Sequence, residues 1–417
     1  MDYKKIVNKN NTIHVIDSNR FKEMHIVLYF TKEADLLNAP KGNLLCSNLT
    51  YSSKKYNTKS KIATRGEELY GAKVSANFGF NGNTQDFIFG LQMLNPKYTE
   101  DKFLDESLDF LYEIVFNPNV KNNHFNEETF NILKKDYVNS IKSIKDNPNE
   151  YATMIYDSIM YKGTIMEKYV PDVEEIESIT NESLYEYYKT LFNGEYKIDI
   201  VIYGENASSI VDKVSNKFGN IKGNNKKLDF YINHKYSDKL IEKTKVTKFK
   251  QSKLYLGYRL KDLTYHERTH VIRLYNLILG SMSDSLLFNY VREKYSLCYS
   301  IGSGFNKYSP SLTIYSGINK TNYEEAKKRI LEAMELMKDK NVINKYINQA
   351  KEATNIYINS FYDDIYGQIN HYYFEQFDIV EDVEELRKNI NNVTLDEIIA
   401  LNNKIHLSVI FYMKGDE

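Results

Sequence analysis

The first half of the chain alternates between short runs rich in β-branched and aromatic residues and longer segments with helical periodicity. Such runs predict strands, and such periodicity predicts amphipathic helices. In residues 101–116, for example, Leu104, Leu108 and Leu111 fall on one helical face. Strands are predicted at residues 13–16, 24–30, 74–80, 87–93 and 198–203. Helices are predicted at residues 101–116, 127–144, 150–160 and 182–191.

The second half repeats this order of elements. Strands are predicted at residues 253–260, 297–305, 312–317 and 407–412, and helices at 266–279, 284–294, 323–338, 343–361 and 395–401. Both halves end alike, because Thr180 and Thr394 are each followed by acidic residues, a helix, a strand and a glycine. Threonine before acidic residues is typical of a helix N-cap.

The repeat predicts an α+β protein of two tandem similar halves, each a mostly antiparallel sheet flanked by helices. We place the N-terminal half at residues 1–219 and the C-terminal half at 249–417. Residues 220–248 form the predicted linker, because they include Gly223 and a charged polar run. The alternative is two unrelated α+β domains.

Composition and charge narrow the classes of function. The 417 residues are 42% hydrophobic and 27% charged, with a formal net charge of −1, which disfavours binding to nucleic acid or to a membrane surface. The two cysteines, Cys46 and Cys298, lie far apart and favour a reducing compartment. Residues 1–11 are polar and no long apolar stretch follows, so we expect a cytoplasmic protein.

A literal zinc motif occurs at residues 266–270, which read H-E-R-T-H. On a helix, His266 and His270 would share one face and could hold zinc, with Glu267 as general base and Glu293 as a candidate third ligand. The preceding residues resemble a helix entry, however, and the apolar face belongs to later positions. We therefore expect a solvated helix start, with an independent zinc peptidase as the alternative.

A second candidate site combines Arg292, at the end of a predicted helix, with Tyr299, near the start of the next strand. A guanidinium and a phenol can hold a peptide carbonyl or stabilise an oxyanion. On spacing alone, the favoured interpretation is an arginine at a helix C-terminus and a tyrosine packed in a sheet.

The residues around this pair resemble the insulinase-like family of zinc peptidases, which includes pitrilysin and the mitochondrial processing peptidases. The resemblance rests on Leu279-Gly280, Leu287-Phe288, the VREK run at 291–294, Leu297 and Tyr299-Ser300, although the family's Gly-rich turn is degraded at 280–284. In the first half, Lys54-Lys55, residues 67–72 and residues 74–76 resemble the segment after the metal motif. The resemblance implies the tandem α+β fold of metalloproteases of this type.

The family's zinc site, H-x-x-E-H, should fall on residues 43–47, which read Asn-Leu-Leu-Cys-Ser. Asn43, Cys46 and Ser47 therefore stand at degenerate zinc positions. The helix at residues 125–141 resembles the one that brings the third ligand, but Asn139 and Ser140 stand there. The resemblance thus implies a chain that holds no cofactor itself.

In the family, a metal-free chain pairs with a related zinc-containing chain, and the two close around a peptide. The resemblance implies such a partner, with its zinc, and assigns Arg292 and Tyr299 to the substrate in trans. It also implies that Val74, Ser75 and Ala76 bind an extended peptide as an added strand. The alternatives are an edge covered by a loop, a homodimer, and a scaffold that clamps peptides without cutting them.

Overall fold

The computed structural model describes residues 2–236, 239–375, 377 and 380–416. The chain forms two compact units. The first comprises Met1–Ser143, Val170–Phe230 and Asp363–Val380, and the second comprises Ile144–Tyr169, Tyr231–Tyr362 and Glu381–Glu417. Each unit therefore includes a segment from the other half of the sequence. The domain bounds predicted from the sequence, residues 1–219 and 249–417, stay a prediction.

Among the described residues, eight strands belong to the first unit: β1 (Asp2–Val7), β2 (Thr12–Asp17), β3 (Glu23–Glu33), β4 (Lys73–Asn81), β5 (Thr84–Leu94), β6 (Val120–Lys121), β7 (His124–Phe125) and β8 (Lys197–Gly204). Six of them form one sheet in the order β1-β2-β8-β3-β5-β4. The β2–β8 pair is parallel and the other pairs of this sheet are antiparallel. Strands β6 and β7 form a separate two-stranded ribbon.

Five strands form the sheet of the second unit: β9 (Ile241–Val246), β10 (Ser252–Leu260), β11 (Cys298–Asn306), β12 (Ser311–Ile318) and β13 (Ile405–Lys414). Their order is β11-β12-β10-β13-β9, and only the β13–β9 pair is parallel. This order matches β4-β5-β3-β8-β2 of the first unit strand for strand. The predicted fold of two similar, mostly antiparallel α+β halves is confirmed.

The α-helices are α1 (Ala39–Tyr51), α2 (Lys59–Glu68), α3 (Phe103–Phe116), α4 (Glu127–Ile144), α5 (Pro148–Met160), α6 (Val173–Glu177), α7 (Asn181–Thr190), α8 (Val211–Phe218), α9 (Ile272–Asn276), α10 (Tyr323–Leu336), α11 (Lys340–Asn344), α12 (Ile347–Ser360), α13 (Ile365–Phe374), α14 (Val383–Asn392) and α15 (Leu395–Leu401). Wider π-helical turns occupy Glu267–Val271, Leu277–Ser281 and Phe288–Lys294. Short 3-10 turns lie at Pro96–Tyr98, Ile165–Lys168, Ala207–Ile210, Lys320–Asn322, Phe361–Asp363 and Asn402–Lys404. Thr180 and Thr394 cap α7 and α15 as predicted.

Two segments, residues 144–169 and 363–380, thus belong to the unit formed mainly by the other half of the sequence. Each of these exchanged segments packs on the sheet of the unit that it joins. In the second unit, Tyr156 of α5 stacks on Tyr255 of β10, with ring centroids 4.9 Å apart. Gly257 permits this approach, because a Cβ there would lie 2.4 Å from the Tyr156 hydroxyl. In the first unit, Tyr373 of α13 stacks on Tyr29 of β3 at 3.8 Å. Aromatic stacking thus fixes both exchanged helices.

The predicted linker, residues 220–248, contains β9. Ser237 and Asp238, which also belong to it, lie outside the described residues. Among the helices that the structure describes, none has the length and apolar character needed to cross a membrane.

Candidate functional site

Helix α1 carries the three degenerate zinc positions. Asn43 and Ser47 are exposed and four residues apart, and the Ser47 hydroxyl donates to the Asn43 carbonyl oxygen at 3.0 Å. Cys46 is 5% exposed and belongs to the hydrophobic core, where burial raises the pKa of its thiol. The helix lies close to β4, because a Cβ on Gly42 would approach the Phe78 ring to 2.5 Å.

The second helix of this region, α4, presents Tyr137 to α1. The Asn43 amide donates to the Tyr137 phenol oxygen at 3.3 Å, and burial raises the pKa of that phenol. Asn139 and Ser140 are exposed, and the Ser140 hydroxyl donates to the Tyr137 carbonyl oxygen at 2.7 Å. Tyr137 was not predicted as a site residue, since a tyrosine gives no signal where a carboxylate ligand is expected.

The side chains at these positions do not fit a zinc ion. An amide, a hydroxyl and a buried, protonated thiol cannot replace two imidazoles and a carboxylate base. In the part of the chain that the structure describes, no group of three His, Cys, Asp or Glu side chains is placed to hold a metal.

Strand β4, which carries Val74, Ser75 and Ala76, is the terminal strand of its sheet. It pairs with β5 on one side, where Ser75 lies opposite Gly90. Val74 and Ala76 pack against the core, whereas Ser75 is exposed. No described strand of the first unit pairs with the other side of β4, so its outer main-chain groups form a free edge of the kind that accepts an added strand.

Arg292 lies in the last turn of the π-helical segment Phe288–Lys294. Its guanidinium carbon lies 4.8 Å from the centre of the Phe288 ring, and its Nε lies 3.8 Å from a carboxylate oxygen of Glu293. The side chain is 42% exposed, so these contacts leave much of the guanidinium accessible. Glu293 thus contacts Arg292, whereas the carboxylates beside His266 and His270 are those of Glu397 and Glu381.

Tyr299 lies on β11, a terminal strand of the second sheet, at a β-bulge. Cys298 pairs with Ile318 and Ser300 pairs with Gly317, so Tyr299 is the extra residue. A bulge redirects a side chain, and bulges are common beside active sites. The Tyr299 ring is 60% exposed, and its hydroxyl donates to Asn319. Arg292 and Tyr299 are thus both exposed. Arg292 contacts Phe288 and Glu293, whereas Tyr299 is bonded to Asn319.

The H-E-R-T-H motif is built differently from the expected solvated helix start. His270 is 2% exposed and its Nε2 lies 2.7 Å from Glu381. Its Nδ1 lies 3.0 Å from Nδ1 of His266, whose Nε2 lies 3.0 Å from Glu397. The expectation that both histidines face solvent was therefore wrong for His270, because two distant glutamates pack over the motif.

Glu267, the second residue of that motif, is engaged in the structure of the helix start. Its carboxylate accepts from the Thr264 backbone N–H and from the Lys404 ammonium group, both at 2.7 Å. The Glu267 N–H in turn donates to the Thr264 hydroxyl at 3.2 Å, which completes a capping box. These contacts lower the pKa of Glu267. A carboxylate held in this way is poorly placed to act as a general base, which argues against the zinc peptidase alternative.

Comparison with known sequences places the chain among zinc peptidase relatives. Residues 178–354 match the family described as the Peptidase M16 inactive domain. The chain is 27% identical over 413 residues to a Bacillus subtilis (strain 168) protein named probable inactive metalloprotease YmfF. That alignment covers 97% of this chain and 96% of the relative.

Comparison with solved structures gives the same fold. A conserved protein from Enterococcus faecalis V583 superposes with a TM-score of 0.92 and 25% identity, covering 100% of this chain and 99% of the other. A peptidase M16 inactive domain from Pseudomonas fluorescens superposes with a TM-score of 0.78 and 18% identity, covering 100% and 99%. At that identity, the second likeness concerns the fold alone.

Proposed function

From its similarity to the Peptidase M16 inactive domain and to a probable inactive metalloprotease, we infer that this chain is the non-catalytic subunit of a zinc endopeptidase complex. Its partner is a related chain that carries H-x-x-E-H and the zinc, and the substrate is a peptide. The observation that carries the proposal is a contrast between the positions for zinc and the positions for substrate. The positions for zinc hold Asn43, Cys46 and Ser47, whereas the positions for substrate keep a free strand edge and an exposed Arg292 and Tyr299.

Peptide binding begins at β4 in this proposal. An extended peptide adds to the free edge by main-chain hydrogen bonds, which give affinity with little sequence preference. Val74 and Ala76 keep their places against the core, and exposed Ser75 contacts the peptide. Because α1 offers no zinc ligands beside this strand, a peptide bound there is held and not cut.

The second unit contributes to the partner's active site in trans. The partner would hold the zinc, which would supply an activated water. The Tyr299 hydroxyl exchanges its bond to Asn319 for one to the oxygen of the scissile carbonyl as negative charge develops there. Arg292 holds a neighbouring carbonyl of the peptide with its planar fork and so fixes the register of the substrate.

Reconstitution tests the proposal. This chain, a related H-x-x-E-H chain from the same source, and an equimolar mixture of both are assayed with an internally quenched peptide. We expect rapid cleavage only in the mixture, with co-elution of the two chains in size-exclusion chromatography. Full activity of the zinc-containing chain alone would contradict the assignment.

The free edge of β4 supports a second candidate, a scaffold that clamps peptides without proteolysis. This candidate predicts that peptides bind to this chain alone or to its homodimer, and that no H-x-x-E-H chain associates with it. Fluorescence anisotropy with a labelled peptide, combined with the same chromatography, separates the two functions.

A further inference from the structure

A cavity of about 650 Å³ opens in the second unit beside the end of β10 and the start of β13. Its lining is rich in groups that carry or can acquire positive charge, and Asp262 is its one carboxylate among the described residues. The basic residues are His234, Lys235, Arg259, Lys261 and His406. Such a lining favours a negatively charged ligand.

Arg259 is the buried member of this set, with 5% of its surface exposed. It lies on β10, a central strand, directly opposite Ser311 of β12 and His406 of β13. The alternation along β10 places it on the same face as Tyr255, which α5 covers. Charged residues are rarely buried at such a position unless they are paired.

Arg259 contacts two aromatic rings and a hydroxyl group. Its guanidinium carbon lies 3.3 Å from the centre of the Tyr236 ring and 5.2 Å from that of Tyr161. One terminal nitrogen donates to the Ser309 hydroxyl at 3.5 Å, a weak bond. No carboxylate of the described residues lies within ion-pair distance, 4.0 Å, of its nitrogens.

Among the described residues, this arrangement leaves a buried cation without a counter-charge. Burial lowers the pKa of Arg259, but a guanidinium stays protonated in proteins, so the charge must be accommodated. Tyrosine faces stabilise it in part by cation–π interaction. Within the described part of the chain, its side-chain hydrogen-bond partners are the hydroxyls of Ser309 and Tyr236, neither of which neutralises the guanidinium charge.

We propose that this cavity is an oxyanion-binding site, in which Arg259 binds the carboxylate or phosphate group of a small organic ligand. A planar guanidinium matches both groups through two parallel hydrogen bonds. The volume lies within the range of small-molecule sites and exceeds what one inorganic ion fills, so the oxyanion belongs to a larger molecule. The site involves neither Arg292 nor Tyr299 and requires no partner chain.

Calorimetric titration of the full chain at low ionic strength tests this site with two matched pairs of probes. One pair is a tripeptide with a free C-terminal carboxylate and the same tripeptide as its amide. The other is a nucleoside 5′-monophosphate and its nucleoside. We expect the oxyanion of at least one pair to bind about tenfold tighter or more than its neutral twin. The pair that responds identifies the source of the oxyanion, and equal binding within both pairs overturns the proposal.

Variants locate the effect. We expect Arg259→Gln to abolish the preference, whereas Arg387→Gln retains it, because Arg387 is paired with Glu384 on α14 and does not line the cavity. A preference that survives in folded Arg259→Gln protein overturns the proposal. If this variant does not fold, Arg259→Lys replaces it, since lysine keeps the charge and loses the fork. Oxyanion binding should then weaken about tenfold, and unchanged binding overturns the proposal.

Discussion

The phenol of Tyr299 donates a hydrogen bond to the side-chain oxygen of Asn319 at 2.9 Å, although the tyrosine is 60% exposed. Because Tyr299 is the extra residue of a bulge on a terminal strand, its ring is not committed to the sheet's core. An exposed hydroxyl that makes a single hydrogen bond can exchange its partner for a substrate at little energetic cost.

Replacing Tyr299 with phenylalanine should therefore slow peptide cleavage by the reconstituted complex without dissociating it. Loss of one oxyanion donor typically lowers turnover by about 100- to 1000-fold. Turnover is measured with the quenched peptide and assembly by size exclusion. Tyr315→Phe is the matched control, since it removes an exposed hydroxyl from the neighbouring strand β12. Equal rates for both variants would show that Tyr299 only packs.

Replacing Arg292 with lysine should also impair the complex, even though the charge is kept. Lysine lacks the planar fork that fixes a peptide carbonyl, so we expect kcat/KM to fall about tenfold or more. Glu293→Gln serves as control, because it removes the carboxylate near Arg292 and leaves the guanidinium in place. Wild-type kinetics in Arg292→Lys, with normal assembly, would mean that Arg292 contributes nothing to substrate binding.

We expect a proline in β4 to impair the proposed peptide capture at its edge, because proline removes a main-chain donor. Ala76→Pro should weaken binding of a labelled peptide, as measured by fluorescence anisotropy, while circular dichroism confirms the fold. Val7→Pro is the control, because Val7 is exposed and lies on β1, the terminal strand at the other edge of the same sheet. The edge hypothesis fails if both variants bind the peptide like the wild type.

Elements with a strong local pattern could be predicted from the sequence. Helices α4 and α15 match their predicted ranges, and Thr180 and Thr394 form the expected caps. Helix α13 was not predicted, because its aromatic residues serve a distant contact between Tyr373 and Tyr29. Local periodicity carries no information about such a partner.

The candidate site likewise has some features that could be predicted from the sequence and others that could not. Motif spacing located Arg292 and Tyr299 at a helix end and a strand start, and both elements are present. The bulge at Tyr299 depends on pairing with β12, and the burial of His270 depends on Glu381, more than one hundred residues away. These features arise from tertiary contacts, which a single sequence does not reveal.

Elemental analysis of the purified chain should find no stoichiometric zinc. Asn43, Cys46 and Ser47 cannot supply the ligand set, and Glu267 is engaged by Thr264 and Lys404. One zinc per chain that disappears in His266→Ala would contradict this prediction and favour a metal site at the H-E-R-T-H motif. A Ser47→Ala variant controls for metal bound elsewhere, since it should leave any such zinc unchanged.

Asp157 on α5 should make stability depend on pH. Burial raises its pKa from the ordinary value of 3.8 to about 7 in the folded chain. Between these values the folded state holds the proton and the unfolded state releases it, so stability falls as pH rises through this window. Asp157→Asn removes the cost of ionisation and should therefore stabilise the chain above pH 7 by about 1–3 kcal/mol, with little gain near pH 4. Urea unfolding at both pH values measures the difference. Asp136→Asn, an exposed position on α4, is the control, and a gain of equal size at both pH values would contradict the assignment.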